Sequence, residues 1–260
     1  MGTFLFDQII FGPVKSRRLG VSLGINLLPV TRKICNFNCI YCECGLTGDT
    51  KAVKGKMPSR KDVYKALDLK LKEMKSRGEK PDVITYAGNG EPTLHPDFPG
   101  IIDDSIELRN KYFPKAEIAV LSNATTITDK KIKEALLKTD KNIQKLDSAI
   151  GSTVKLHNNP NGNPDISEMI RSLASFEGKV IIQTMFLRGE FDGKMIDNTT
   201  PEELSEWLKA IETIKPSEVM IYTISRDTPD GGKLFKIPEK ELRAIANMVE
   251  KSGFKTQVSA

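Results

Sequence analysis

The chain has 260 residues, 39% of them hydrophobic and 28% charged, with 39 Lys and Arg against 34 Asp and Glu for a net charge of +5. This is the composition of a soluble globular protein; no apolar run approaches the ~18 residues of a membrane-spanning helix, and 19 Gly with 14 Pro are too few for a disordered low-complexity chain. The start, Met1 to Asp7, lacks the basic and long apolar segments of a secretory signal, and Phe6 stands where a myristoylation site needs Ser or Thr. A cytoplasmic protein with no membrane segment is expected.

Residues 1–20 read as an N-terminal extension, rich in Gly and Arg from Phe11 to Gly20, and Val21–Leu28 as a first strand ended by Pro29. A loop with clustered cysteines follows at 35–45. Residues 60–77 then carry Val63, Leu67, Leu71 and Met74 on one helical stripe, with Ser59 and Asp62 placed as a capping box. From there strands at 82–86, 117–121, 143–150, 179–187 and 218–224 alternate with helices at 99–112, 129–138, 164–176, 201–214 and 238–251, before a short run at 255–259. The strands are brief apolar runs such as Val219 to Tyr222, which suits a parallel sheet covered by helices.

Six β-α units without a linker-like gap predict an α/β fold in one domain, 1–260: a partial (β/α)6 TIM-like barrel with parallel strands. A doubly wound sheet satisfies the same alternation. Both place the active site at the carboxyl ends of the strands, where the cysteine loop, Gly88–Glu91 and Asn123 fall. The charge is uneven. Residues 51–80 hold 11 basic and four acidic side chains, a face suited either to phosphates or simply to water.

All four cysteines, Cys35, Cys39, Cys42 and Cys44, lie within ten residues. A disulfide framework spreads its cysteines; clustered ones in a chain of this size read as metal or cluster ligands. Cys35, Cys39 and Cys42 form a CxxxCxxC spacing. Three thiolates on one tight loop can hold three irons of a 4Fe–4S cluster and leave the fourth open. Zinc is the alternative, but it favours paired CxxC knuckles completed by a second pair or by histidine, and neither His95 nor His157 sits at ligand spacing.

With Tyr41 ahead of its last cysteine, this loop resembles the signature of the radical S-adenosylmethionine (SAM) superfamily, and the resemblance covers nearly the whole chain. More narrowly, Gly12–Gly20, Cys35–Gly45 and Gly88–Thr93 resemble the radical SAM proteins grouped with wyosine synthases, without the upstream cysteines that hold a second cluster in archaeal members. The resemblance implies a 4Fe–4S cluster on Cys35, Cys39 and Cys42, with the amino and carboxylate groups of SAM on the unique iron. An electron from a flavodoxin- or ferredoxin-like donor then breaks the sulfonium bond. Methionine and a 5′-deoxyadenosyl radical result, and the radical takes hydrogen from a substrate under anaerobic conditions. The resemblance also implies adenine contact by Tyr41 and contact with the SAM amino group by Gly88, Asn89, Gly90 and Glu91.

Physically, the glycines of that turn let backbone carbonyls approach closely and Glu91 adds negative charge near an ammonium; the bland reading is a simple turn. Asn123 suits SAM contact or a cap on the following turn. Alternation puts Lys145 and Asp147 on one strand face, either as catalytic or carboxylate-holding candidates or as a structural ion pair. Gln183, Thr184, Tyr222, Thr223 and Arg226 are candidates for ribose or substrate contact. Arg17 and Arg18 either reach the open barrel end or anchor on the surface. His157, read in the polar loop with Asn158–Gly162, is a substrate-side candidate, and His95 a structural one. Cys44 is a spare thiol, a transient ligand, a participant in the radical chemistry or a buried bystander. For the substrate, an RNA base follows from the narrower resemblance and the basic segment, with a peptide or a partner enzyme as the alternative. A non-catalytic iron–sulfur protein that carries electrons or senses oxygen is the reading from another class.

Overall fold

The computed structural model describes residues 4–47, 55–225, 228 and 233–260. Its strands are β1 (Ile10–Ser16), β2 (Gly20–Ile25), β3 (Val83–Tyr86), β4 (Glu117–Ser122), β5 (Lys141–Lys145), β6 (Ile181–Phe191), β7 (Lys194–Asp197), β8 (Glu218–Thr223), β9 (Leu234–Lys236) and β10 (Thr256–Ser259). The helices are α1 (Arg60–Ser76), α2 (Phe98–Tyr112), α3 (Lys130–Leu136), α4 (Gly151–Asn158), α5 (Ile166–Ala174), α6 (Pro201–Ile214) and α7 (Glu239–Lys251). The main path of the sheet runs β1-β2-β3-β4-β5-β6-β8-β10, with β2 through β10 parallel and β1 antiparallel to β2. Curled on itself and backed by helices, it is the expected partial TIM-like barrel.

Period-two alternation sorts the strand residues into two layers. Inward positions at one level, Val83, Ala119, Ile143, Ile181 and Met220, form a small apolar plug joined by Leu19 and Leu121. Outward positions such as Ile84, Ile118, Ile182 and Ile221 join the larger core beneath the helices. Helix α1 shows how this layer is built. Its capping box forms between Ser59 and Asp62, and Val63, Leu67, Leu71 and Met74 are buried, each stabilising the fold by about 2 kcal/mol. Its lysines, among them Lys61, Lys65 and Lys72, are exposed on this outer layer of the barrel.

The structure departs from the expected elements in four places. The N-terminal extension forms β1, an edge strand whose pairing with β2 shifts register between Phe11 and Val14. Phe11 lies directly on Gly24, where a Cβ would come within 2.1 Å of the ring, so only glycine admits this contact. The strand expected over 143–150 stops at Lys145, and Gly151–Asn158 forms α4 instead. Strand β6 runs on to Phe191 and pairs antiparallel with β7 and β9. The final run 255–259 is a true strand, β10, parallel to β8.

Candidate active site

The cysteine loop is clamped from two sides. On one side Ile34 pairs with Gly90: the Ile34 amide donates to the Asn89 carbonyl at 2.9 Å, and the Glu91 amide donates to the Ile34 carbonyl at 3.0 Å. On the other, the loop runs against the end of α4, where the Asn38 amide donates to the Asn158 carbonyl (2.9 Å) and the Ile40 amide to the His157 carbonyl (3.0 Å). Lys33 closes the loop by donating from Nζ to the Gly45 carbonyl at 2.9 Å. The loop therefore sits at the carboxyl ends of the strands, between the glycine turn and α4.

All four thiols are free. Among the described residues no three His, Cys, Asp or Glu side chains converge on a single-ion site. Zinc, which draws its thiolates to about 2.3 Å from one ion, would need these side chains to converge further. Cys35, Cys39 and Cys42 each have a donor nearby. Asn158 Nδ2 lies 3.4 Å from Cys39 Sγ, Asn123 Nδ2 3.7 Å from Cys35 Sγ, and Cys44 and Lys33 hydrogen-bond Cys42. The Cys44 contact foremost, with the Lys33 ammonium, outweighs burial and holds the Cys42 thiol well below its ordinary range. Burial pushes Cys35 up to about 12 and raises Cys39 as well. Burial works against a charged Lys33, but the thiolates beside it, Cys42 first, raise its pKa. A set of buried thiols with amide donors and one fixed cation suits an electron-accepting cluster.

The glycine turn is built from inside. Asn89 is fully buried, bonded to both backbone groups of Phe6 and to the Pro29 carbonyl. The buried Glu91 carboxylate accepts from Thr93 and from the Asn123 amide (2.7 Å). Its charge therefore organises the turn and β4 rather than standing open in the cavity. Asn123 accepts from Thr125 through Oδ1, an Asx turn, and donates to Asn36 of the cysteine loop at 2.7 Å. Gly88 and Gly90 are the parts of the motif left with only backbone to present.

Tyr41 joins the loop to the lumen. Its hydroxyl donates to the Asp147 carboxylate, Asn158 Nδ2 donates to both groups (3.2 and 2.7 Å), and Lys145 Nζ donates to the Tyr41 oxygen at 3.0 Å. Lys145 stands 3.6 Å from Asp147 and 3.4 Å from the Tyr222 hydroxyl. Burial works to lower Lys145, yet Asp147 and its other neighbours hold it charged, above the ordinary lysine range. The ion pair read as one possibility from alternation is thus formed, and it is tied through Asn158 to a cluster-loop thiol.

Other candidates separate. Gln183 is in the lumen and accepts from Arg18 at 3.0 Å. Thr184 faces outward instead, bonded to Trp207 and the Leu146 carbonyl, because it occupies the opposite phase of β6. Thr223 is engaged with Phe186 and Ile237 backbone groups; Arg226 lies outside the described residues. His95 is structural, bonded to the Pro58 carbonyl and the Asp97 amide. His157 is not in a polar loop: it is fully buried on α4, and its ring nitrogens have no hydrogen-bond partner among the described residues. Asn158 and Lys33 were not singled out from the sequence; nothing marks Asn158 there, whereas a lysine two residues before the first cysteine was visible.

Burial pushes His157 down to about 4 from 6.5, so it folds neutral. An unfolded histidine takes up its proton first as pH falls, and the stability that depends on a neutral ring is lost from about pH 6.5 down to about 4. His157→Leu is expected to escape this. Urea unfolding at pH 7.5 and pH 5 is expected to move the variant about 2 kcal/mol in its favour relative to wild type. An unchanged difference contradicts burial of a neutral ring.

Residues 30–197, which include the cysteine loop and the glycine turn, match the Radical SAM superfamily. The chain belongs to that superfamily; it is a radical SAM enzyme, and the class uses a 4Fe–4S cluster and SAM. It is 30% identical to a UPF0026 protein of Helicobacter pylori, over 90% of this chain and 71% of that one. With a UPF0026 protein of Methanocaldococcus jannaschii it shares 28% identity over 90% and 68%. It also matches a protein named GTPase Obg from Brachyspira hyodysenteriae at 32% identity, over 84% of this chain but only 30% of that protein. Among solved structures its fold is similar to a radical SAM methyltransferase from Sphaerobacter thermophilus (TM-score 0.63, 11% identity, 92% of this chain and 65% of that one). It is similar also to archaeal TYW1 (TM-score 0.51, 14% identity, 89% and 72%). No helix among the described residues is long and apolar enough to cross a membrane.

Proposed function

We propose that this radical SAM enzyme holds its cluster on Cys35, Cys39 and Cys42 and its SAM along the backbone of Gly88–Gly90. Tyr41, Asn123 and Gln183 form the walls, and Asn89 and Glu91 keep the turn in place. The observation that carries this is the Ile34–Gly90 pairing, which brings the three-thiol loop and the glycine turn into backbone contact. When bound, cluster and SAM supply a hydrogen-abstracting radical. The chain's own part is positional: the Asp147–Lys145–Tyr41 network fixes one wall beside the thiols, and the barrel carries a partly open cavity of about 720 Å³ for the reacting partner, in the range of small-molecule sites. Electrons come from a flavodoxin- or ferredoxin-like donor.

For the substrate, an RNA base no longer draws support from residues 51–80, since the described part of that segment lies on the outer helix layer; the resemblance of Gly12–Gly20, Cys35–Gly45 and Gly88–Thr93 to the wyosine-synthase group is its remaining support. Cys44 donates to the Gly88 carbonyl at 3.4 Å, beside the SAM turn, and is read as a neighbour of the cluster rather than a fourth ligand. The test is anaerobic reconstitution followed by dithionite and SAM. The expected result is about four irons per chain and formation of 5′-deoxyadenosine, both kept in Cys44→Ala and lost in Cys39→Ala. Loss of the cluster in Cys44→Ala, with no 5′-deoxyadenosine from wild type, would support a fully ligated electron carrier instead.

A further inference from the structure

Strands β1 and β10 are the two edges of the main sheet, and the turn after β1 bridges them. Arg17 donates to the Ala260 carbonyl, and Gln257 donates to the Arg18 carbonyl. We propose that the cavity opening along this seam binds the phosphate of a nucleotide unit, with Arg18 as the inner anchor and Lys15, Arg17 and Lys236 around it. The proposal rests on the radical SAM reading of the site and names the class of substrate for it.

Charge is the first argument. These four cations line the cavity, and Glu43 is the single carboxylate among the described lining residues. Lys15 and Lys236 are exposed, and their ammonium groups make no hydrogen bond or ion pair with any described residue. Cations gathered at a concave, partly low-dielectric surface and outnumbering the described carboxylates there repel one another and concentrate anions.

The second argument is the geometry of Arg18. One guanidinium nitrogen donates to Gln183, and the plane lies over the Tyr222 ring at 4.4 Å. No carboxylate among the described residues pairs with it, so the group is held by Gln183 and Tyr222 with donors unspent. That is the arrangement suited to a phosphate.

SAM and the cluster do not account for these charges. The cluster side has its own cations: Lys33 on the thiols and Gly45, and Lys145 on Tyr41 and Asp147. The four seam cations come from β1, its turn and β9, on other elements. Beside them Phe6 and Phe11 stack at 3.7 Å and, with Phe4, line the same cavity. A flat apolar surface next to an anion site suits a base attached to its phosphate.

The test uses anaerobically reconstituted protein saturated with SAM, titrated calorimetrically with guanosine 5′-monophosphate, with guanosine and with hexauridylate. A guanine probe avoids competition for an adenine site. Guanosine is expected to bind at least about 10-fold more weakly than its monophosphate, Arg18→Gln to weaken phosphate binding about 10-fold, and Lys15→Gln/Lys236→Gln about 5-fold. Lys130→Gln, on the outside of α3, is expected to change nothing. Binding of the monophosphate marks a free nucleotide as the source, and binding of hexauridylate alone marks a strand; either outcome supports the site. Equal affinity for nucleoside and nucleotide, no binding of any probe, or unchanged binding in both the Arg18 and the double-lysine variants overturns it. If the same preparation of wild type makes 5′-deoxyadenosine but binds no phosphate, this inference alone fails. If it holds no iron and makes none, the site assignment beneath it fails.

Discussion

Asp147→Ala is expected to cost about 4 kcal/mol of stability, a large share of the roughly 5–15 kcal/mol that holds a domain together. The carboxylate has no exposed surface and its partners converge from four elements. It accepts from Tyr41 of the cysteine loop, from Asn158 at the end of α4 (2.7 Å) and from the Met185 amide on β6 (2.9 Å), and it faces Lys145 on β5 at 3.6 Å. Removing it leaves a buried ammonium without its counter-charge and takes the acceptor from three donors. Burying an unpaired charge, rather than losing the pair's own attraction, is the larger part of the cost. Asp147→Asn keeps the volume and some of the hydrogen bonds, so about half the loss is expected. The double variant Asp147→Leu/Lys145→Met removes both charges and is expected to recover most of the stability, because an apolar pair of similar size avoids the desolvation altogether. Urea unfolding of the cluster-free protein measures all three. A loss under 1 kcal/mol in Asp147→Ala would mean that water reaches the pair and that the network does not brace Tyr41.

That network shows what a linear reading reaches and where it stops. Lys145 and Asp147 were legible as a same-face pair because strand alternation is local. Their third partner, Asn158, was not, because α4 was invisible. Gly151-Ser-Thr opens this eight-residue helix with poor helix formers, and the polar run after it reads as loop. His157 went astray with it. Most of the parallel strands announced themselves as apolar runs, since they are buried on both faces; β5, Lys141–Lys145, carries one apolar residue and did not. Strand β1 did not, because Gly12 and Pro13 interrupt it and its residues are mostly exposed. The seam arginines were therefore left between lumen and surface, and only the closure of β1 onto β10 decides that Arg18 turns inward. The β6–β7 hairpin had a usable signal, Asp192-Gly193, a strong turn pair between strand-like runs. The cysteine triad needed no tertiary information at all, whereas the inward-turned Glu91 could not have been read from its motif: a carboxylate after a glycine turn looks equally apt for a ligand or for its own backbone.

Gly90→Ala is expected to separate the cluster loop from the glycine turn and so to abolish iron retention without touching a single ligand. At Gly90 φ is +130°, a region essentially reserved for glycine, and a Cβ there would sit 1.9 Å from the Ile34 carbonyl oxygen and 2.5 Å from its carbon. Both obstacles are backbone, so no rotamer change relieves them. Backbone strain and overpacking together come to about 3–5 kcal/mol. The two segments can avoid that cost by parting, which breaks the Ile34–Asn89 and Glu91–Ile34 hydrogen bonds. The thiols would then lose their fixed relation to Gly88 and to Asn123. Gly78→Ala is the matched comparison: its φ is +71° but nothing lies within 4 Å of the added carbon, so about 1 kcal/mol and full iron content are expected. Iron per chain after reconstitution, together with thermal unfolding, separates the two variants. If Gly90→Ala bound iron like wild type and unfolded within about 3 °C of it, the loop–turn pairing would be incidental, and the SAM site would have to be sought elsewhere in the barrel.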